Sequence, residues 1–181
     1  METDLIITGK NPVIPRRENQ IKEKVAIFVD VQNIYYTVKE RYNSHFNYSY
    51  FWEKAVKGRE VIGAIAYAID RGDPKQIKFQ QILKNIGFEI KLKPFIQRGD
   101  GSTKGDWDVG ITVDMLDYAE KANVIVLASG DGDFDVALEK IRQKYGVPVE
   151  VYGVPELTAA TLIEASANYF PIDQKYLLNV Q

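Results

Sequence analysis

Asn123-Val-Ile-Val-Leu-Ala128, followed by Ser129-Gly-Asp131-Gly-Asp133-Phe134, is the stretch whose reading decides the fold. The unbroken apolar run Val124 to Ala128 has the length and β-branched content of a strand covered on both faces. Two glycines then permit a tight turn with close backbone approach. A helix pattern from Phe134 to Tyr145 follows and Gly146 stops it. Strand, turn and helix in that order place Asp131 and Asp133 where the chain leaves the sheet. Asp133 is expected to cap the helix. Asp131 lies between glycines with no apolar neighbour to pack, which leaves its carboxylate for chemistry.

The same grammar recurs on either side. Val25 to Val29 is a second continuous apolar run, ending in Asp30, with Asn33 near the start of a helix that runs to Tyr42. Glu60 to Ile69 reads as the second strand, Lys75 to Ile86 as a helix, and Phe88 to Leu92 as a strand near the sheet edge. Val147 to Tyr152 is the fifth strand, Glu156 to Ala167 a closing helix, and Tyr169 to Ile172 a short last strand. Strands alternating with helices predict a three-layer α/β domain with a mostly parallel sheet. If the first and fourth strands are neighbours, the order is 3-2-1-4-5, with the switch point between them. Residues 1–23 read as an N-terminal arm holding Arg16-Arg17, residues 24–172 as the domain, and residues 173–181 as a tail. The aromatic stretch Tyr42 to Trp52 reads as packing for a helix connection, and it offers a contact surface for a homodimer.

Composition narrows the chemistry. The 181 residues carry a net charge of -2, no cysteine and one histidine, His45. Disulfides, thiolate catalysis and multi-histidine zinc sites are excluded. What remains is carboxylate, hydroxyl, amide and Lys/Arg, the set that suits a hard cation with oxygen ligands. No stretch approaches the ~18 apolar residues of a membrane span and no signal peptide is visible, so a cytoplasmic protein without membrane contact is expected.

The helix Trp107 to Lys121 follows a polar, locally basic loop from Pro94 to Gly105. Val109, Val113 and Leu116, with Met115, are its expected buried stripe. Asp108 falls in its first turn, where the helix dipole favours an anion. Asp114 lies about 240° round the wheel from Asp108, too far for one shared shell. With the strand order above, Asp30 and Asp131 lie side by side and Asp108 enters from the helix before strand four. Several like charges within ~6 Å cannot all ionise without compensation. Mg²⁺ or Mn²⁺ would relieve that repulsion and assist in-line attack on a phosphodiester. Arg98 and Lys104, in the preceding loop, are expected on phosphates.

Three stretches carry a family resemblance. Val29-Asp30-Val-Gln-Asn33, Lys104-Gly-Asp-Trp-Asp108 with Val113-Asp114-Met115, and Ser129-Gly-Asp131-Gly-Asp133-Phe134 resemble the NYN domain. That domain is the LabA-like branch of the PIN-like nucleases. The resemblance spans about residues 24 to 172. It implies a PIN-like, Rossmann-like fold and metal-dependent cleavage of single-stranded or structured RNA, making the chain a ribonuclease. It assigns catalysis to Asp30, Asp108, Asp131 and Asp133, and substrate contact to Asn33 and Ser129. The same four Asp residues, with Asp106 as an extra candidate, are the implied ligands of Mg²⁺ or Mn²⁺. Many relatives carry Gly where this chain has Val31, and the alternative reading is a catalytically weak RNA-binding or regulatory module of the same fold. A haloacid-dehalogenase-type phosphohydrolase is disfavoured, because Gln32 occupies the position its second Asp requires.

Overall fold

The two apolar runs take the centre of the molecule. β1 (Lys24–Asp30) is buried from Val25 to Asp30, and α1 (Val31–Tyr42) starts directly at its end. The structure, a computed structural model, describes residues 21–100 and 103–178. The arm reading, with Arg16-Arg17 and a possible strand at residues 5–8, lies outside the described residues up to residue 20. So does the end of the tail from residue 179.

The chain continues through α2 (Tyr48–Val56), β2 (Glu60–Asp70), α3 (Pro74–Ile86), β3 (Glu89–Pro94), β4 (Ile96–Gln97) and β5 (Thr103–Lys104). It goes on through α4 (Asp108–Ala119), β6 (Val124–Ala128), α5 (Asp135–Tyr145), β7 (Val149–Gly153), α6 (Ala160–Ala165) and β8 (Asn168–Pro171). One parallel sheet has the order β3-β2-β1-β6-β7-β8. This is the expected 3-2-1-4-5 arrangement with β8 added beside β7. Alternate residues of β1 face opposite ways. Val25, Ile27 and Val29 pack with α1, α2 and α3, whereas Ala26 and Phe28 pack with α4, α5 and α6. Burial on both sides explains why these strands read as unbroken apolar runs rather than alternating ones.

Three local expectations are corrected. The segment from Pro94 to Gly105 contains a small antiparallel ribbon, β4 paired with β5, rather than loop alone. The buried stripe of α4 is Ile111, Met115 and Ala119, while Val109 and Val113 are exposed. The phase of that helix is set by polar anchors described below, not by its most apolar face. The closing helix is only Ala160–Ala165, because Pro155 to Thr158 form a turn and bend, with Glu156 at φ 68, that packs on the β6 turn. A Cβ on Gly130 would come within 2.6 Å of the Leu157 carbonyl oxygen, so that approach requires glycine. The aromatic stretch Tyr42 to Trp52 joins α1 to α2, whose start at Tyr48 is capped by Asn47, and buries Phe46, Tyr48 and Phe51 in the core.

A buried ion pair ties the layers together. The Arg59 guanidinium donates to both carboxylate oxygens of Glu150 at 3.0 and 2.9 Å, joining the end of α2 to β7. Both side chains are largely hidden from solvent, so each charge depends on the other.

Candidate functional site

The carboxyl edge of the sheet is built by two parallel strands in register. Val29 of β1 pairs with Ala128 of β6, so the next residues along, Asp30 and Ser129, come out side by side. The Ser129 hydroxyl donates to Asp30 Oδ2 at 3.2 Å and accepts from the Asp131 amide at 3.2 Å. Ser129 is fully buried. Its hydroxyl is thus engaged in linking the two strand ends, a different position from the substrate contact expected of it. Asp30 is also the cap of α1, accepting from the Asn33 amide at 3.3 Å. The Asn33 side-chain oxygen in turn accepts from the Gly130 amide at 2.9 Å, which holds the glycine turn against the start of α1.

Beyond the turn, oxygen atoms of Asp108, Asp131 and Asp133 lie within 4.8 Å of one another. Asp131 arrives from the turn after β6, Asp133 from the short 3₁₀ turn Gly132–Phe134, and Asp108 from the first residue of α4. The capping expectation is corrected here. It is Asp131, not Asp133, whose carboxylate accepts the capping hydrogen bond, from the Asp133 amide at 3.0 Å. Asp133 projects into solvent at the edge of the trio. Asp30 lies beside the trio rather than within it, its two oxygens turned to Asn33 and Ser129. Asp106 is exposed, one residue before Trp107, outside the trio as well.

The electrostatics follow from this crowding. Burial is the main cause that pushes the Asp30 carboxyl from an ordinary 3.8 up to about 6. The hydrogen bonds from Asn33 and Ser129 oppose the rise, and the charges of Asp131 and Asp106 add to it. Asp108 is likewise pushed up to about 6, by partial burial first and then by Asp131, Asp106, Asp30 and Asp133. Such crowding favours an added positive charge. The donors offered are carboxylate oxygens; the chain has no cysteine, and its one histidine, His45, sits in the connection between α1 and α2. The trio therefore fits a hard divalent cation rather than a soft one.

α4 is held at this edge by polar anchors that the sequence did not announce. The Trp107 indole N–H donates to the Ala68 carbonyl at 2.9 Å, and the Lys93 ammonium lies 4.3 Å from the centre of the Trp107 ring. The same ammonium donates to the Asp106 carbonyl at 2.9 Å. Nearly two turns along, Asp114 Oδ2 accepts from the Tyr67 hydroxyl at 2.6 Å and the Lys91 ammonium at 2.7 Å. Asp114 thus faces away from the trio, as the wheel requires. Burial and this hydrogen bond push the Tyr67 phenol above its ordinary range, so it remains a donor. Lys91 and Asp114 are separated by 23 positions, and nothing in either segment marks them as partners. Arg98 is exposed between β4 and β5, and Lys104 lies in β5.

Among the described residues, no helix is long and apolar enough to cross a membrane. The chain is 26% identical over 159 residues to the low amplitude and bright protein LabA of Synechococcus elongatus, covering 83% of this chain and 84% of that one. Its fold is similar to the crystal structure of a protein of unknown function from Vibrio parahaemolyticus. The TM-score is 0.84 and the identity 53%, over 89% of this chain and 99% of that one. A PIN-like three-layer fold, an acidic trio at the carboxyl edge and a match to the NYN domain over residues 24–173 agree: the chain belongs to the NYN domain family.

Proposed function

We propose that the protein is a metal-dependent ribonuclease that hydrolyses RNA phosphodiester bonds at the carboxyl edge of the sheet. The observation that carries this reading is the convergence of Asp108, Asp131 and Asp133 within 4.8 Å, from segments far apart in sequence. Those three would hold the cation, Mg²⁺ or Mn²⁺, with Asp106 at the rim. When bound, such an ion supplies Lewis-acid stabilisation of a phosphodiester under attack and lowers the pKa of water.

The chain's own residues account for the rest. Asp30, with its proton affinity raised to about 6, can accept a proton near neutral pH and is aimed by Ser129 and the Asn33 amide. Asn33 fixes the Gly130 turn and hence the direction of Asp131. Lys93, packed on Trp107, holds the backbone before Asp108 in place. Arg98 and Lys104, on the ribbon that leads into α4, are assigned to flanking phosphates. With a net charge of -2, the protein has no general field to attract a polyanion, so local cations and the metal must recruit it.

Labelled single-stranded and structured RNAs, incubated with and without Mn²⁺, test this directly. Cleavage that requires the metal, stops with EDTA and is lost in Asp131→Asn is the expected result. RNA binding with no cleavage under any divalent ion would instead support the non-catalytic RNA-binding module. Substitution by Asn keeps an acceptor for the Asp133 amide, so loss of activity in that variant does not reduce to loss of the turn.

A further inference from the structure

α1 presents two different surfaces at the same edge of the sheet. Its cap, Asp30, faces Ser129 and the acidic trio. In the turns that follow, Gln32, Tyr35 and Tyr36 line a cavity of about 520 Å³ between α1 and α3. Arg71 and Lys75 stand on the opposite rim, where β2 passes into α3, with Asp73 between them, its carboxylate capping α3 by accepting from the Lys75 amide. The floor is apolar, made by buried Val31, Phe46 and Tyr48. A cavity of this size, mostly apolar with a few convergent polar groups, has the character of a small-ligand site. The carboxylate chemistry does not use it.

The rim carries an unusual density of exposed π surface. Tyr35 and Tyr36 are each about half exposed, at 50% and 49%, and meet edge to face with ring centres 5.3 Å apart. The Arg71 guanidinium lies 5.2 Å from the centre of the Phe95 ring, itself 42% exposed, and donates to the Tyr36 hydroxyl at 3.3 Å. Aromatic faces in reach of a fixed guanidinium suit a planar base whose adjoining phosphate is anionic. An uncharged apolar peptide would fill the floor but leave Arg71 and Lys75 unanswered. A free anion would meet the cations but waste the floor. A nucleotide uses both.

Position adds to composition. Asp30 pairs with Tyr67 across β1 and β2, and Ala68 and Ile69, the next residues of β2, line the cavity. Asp131 and Asp133 leave β6 on one side of β1, and the cavity lies by β2 on its other side. Neighbouring strands are only ~4.8 Å apart, so one strand of nucleic acid can span both.

We infer that this cavity holds an unpaired nucleobase of the RNA strand, stacked on Tyr36 with Arg71 on the adjoining phosphate. Single-stranded RNA, or a loop within structured RNA, is then the substrate class. The inference rests on the reading that RNA is cut at the carboxylates.

The test uses the full chain and a short RNA carrying 2-aminopurine at one position, with an abasic RNA as control. Binding is followed in EDTA by 2-aminopurine fluorescence and by anisotropy; cleavage is followed in parallel in Mn²⁺. Wild type should quench the fluorophore and bind the abasic RNA more weakly. Tyr36→Ala should weaken binding of the intact RNA roughly 5- to 100-fold, the range expected for one lost base stack, and should leave binding of the abasic RNA unchanged. Tyr36→Phe should keep the quench, and Arg71→Gln should weaken both RNAs alike. The Tyr36 side chain is half exposed, so an unchanged thermal midpoint is expected and is checked for each variant. Equal affinity of wild type and Tyr36→Ala for the intact RNA overturns the base site, and Mn²⁺-dependent cleavage in that case leaves the ribonuclease reading in place. Tyr36-dependent quenching without cleavage in any divalent ion does the reverse: it upholds the base site and removes the ribonuclease.

Discussion

Replacing Asp30 by Asn should stabilise the metal-free protein, and only above about pH 4. The carboxyl of Asp30 is 8% exposed, and its pKa rises from 3.8 to about 6 in the folded state. Keeping it ionised at pH 8 therefore costs about 3 kcal/mol of folding free energy. Burial is the leading cause, so an uncharged side chain of the same shape escapes most of it. Asn retains an acceptor for the Asn33 amide, so the cap of α1 survives. Its amide end faces the Ser129 hydroxyl, which can rotate to accept instead of donate. The expected gain is about 1–3 kcal/mol at pH 8 in EDTA. The sign with pH follows from the raised pKa. Wild type binds an extra proton when folded, so its stability is greatest below the unfolded value near 4 and falls as pH rises through about 6. The variant lacks that slope, and the two curves should meet by about pH 4. Urea unfolding of both proteins at pH 4, 6 and 8 measures the difference. A variant less stable than wild type at pH 8, or a difference that does not change with pH, would refute the reasoning. It would mean that the Ser129 and Asn33 hydrogen bonds outweigh burial.

Other parts of the structure make sharper structural demands. Glu150→Ala should cost about 3–5 kcal/mol in urea unfolding, because it strands the buried Arg59 guanidinium; replacing both partners with apolar residues should recover most of that loss. Asp114→Ala removes the acceptor of the buried Tyr67 hydroxyl and of Lys91, so stability should fall by about 1–3 kcal/mol. If Asp108 is aimed through α4, the same variant should lose RNA cleavage well before it loses the fold, checked by activity and circular dichroism on one preparation. Gly130→Ala places a methyl 2.6 Å from the Leu157 carbonyl oxygen, a backbone atom that cannot turn aside. The β6 turn must shift, and the thermal midpoint should drop by several degrees.

The sheet was legible because burial on both faces leaves an unmistakable mark. β1, β2 and β6 each carry a run with no charged interruption, and a chain that alternates such runs with helices has few ways to arrange them. The rotation of α4 was not legible for a matching reason. Val109, Ile111, Val113, Met115 and Leu116 lie on several sides of the helix, so its apolar pattern fits more than one phase. The choice is made by Trp107 reaching Ala68, 39 positions away, and by Asp114 reaching Lys91 and Tyr67. The shortened α6 has the same kind of cause. Residues before it must pass over Gly130, and a strand-to-helix crossing of that sort depends on tertiary contact rather than on local propensity.

At the site, spacing revealed which residues were acidic and close to strand ends, but not how the work divides among them. In sequence Asp133, just before the helix, takes the capping position; the 3₁₀ turn instead gives the cap to Asp131 and frees Asp133. Asp30 shows why capping alone is an incomplete account of such residues. A cap is worth about 1 kcal/mol, and Asn provides it as well as Asp. Asp30 performs that service from a buried position where its charge opposes folding by about 3 kcal/mol, a burden Asn would not carry. The fold alone would therefore prefer Asn at this position. That an ionisable group stands there, beside a trio of carboxylates in which burial and the neighbouring charges raise the proton affinity of Asp108, is what a site for a cation and a proton requires and what a merely structural turn does not.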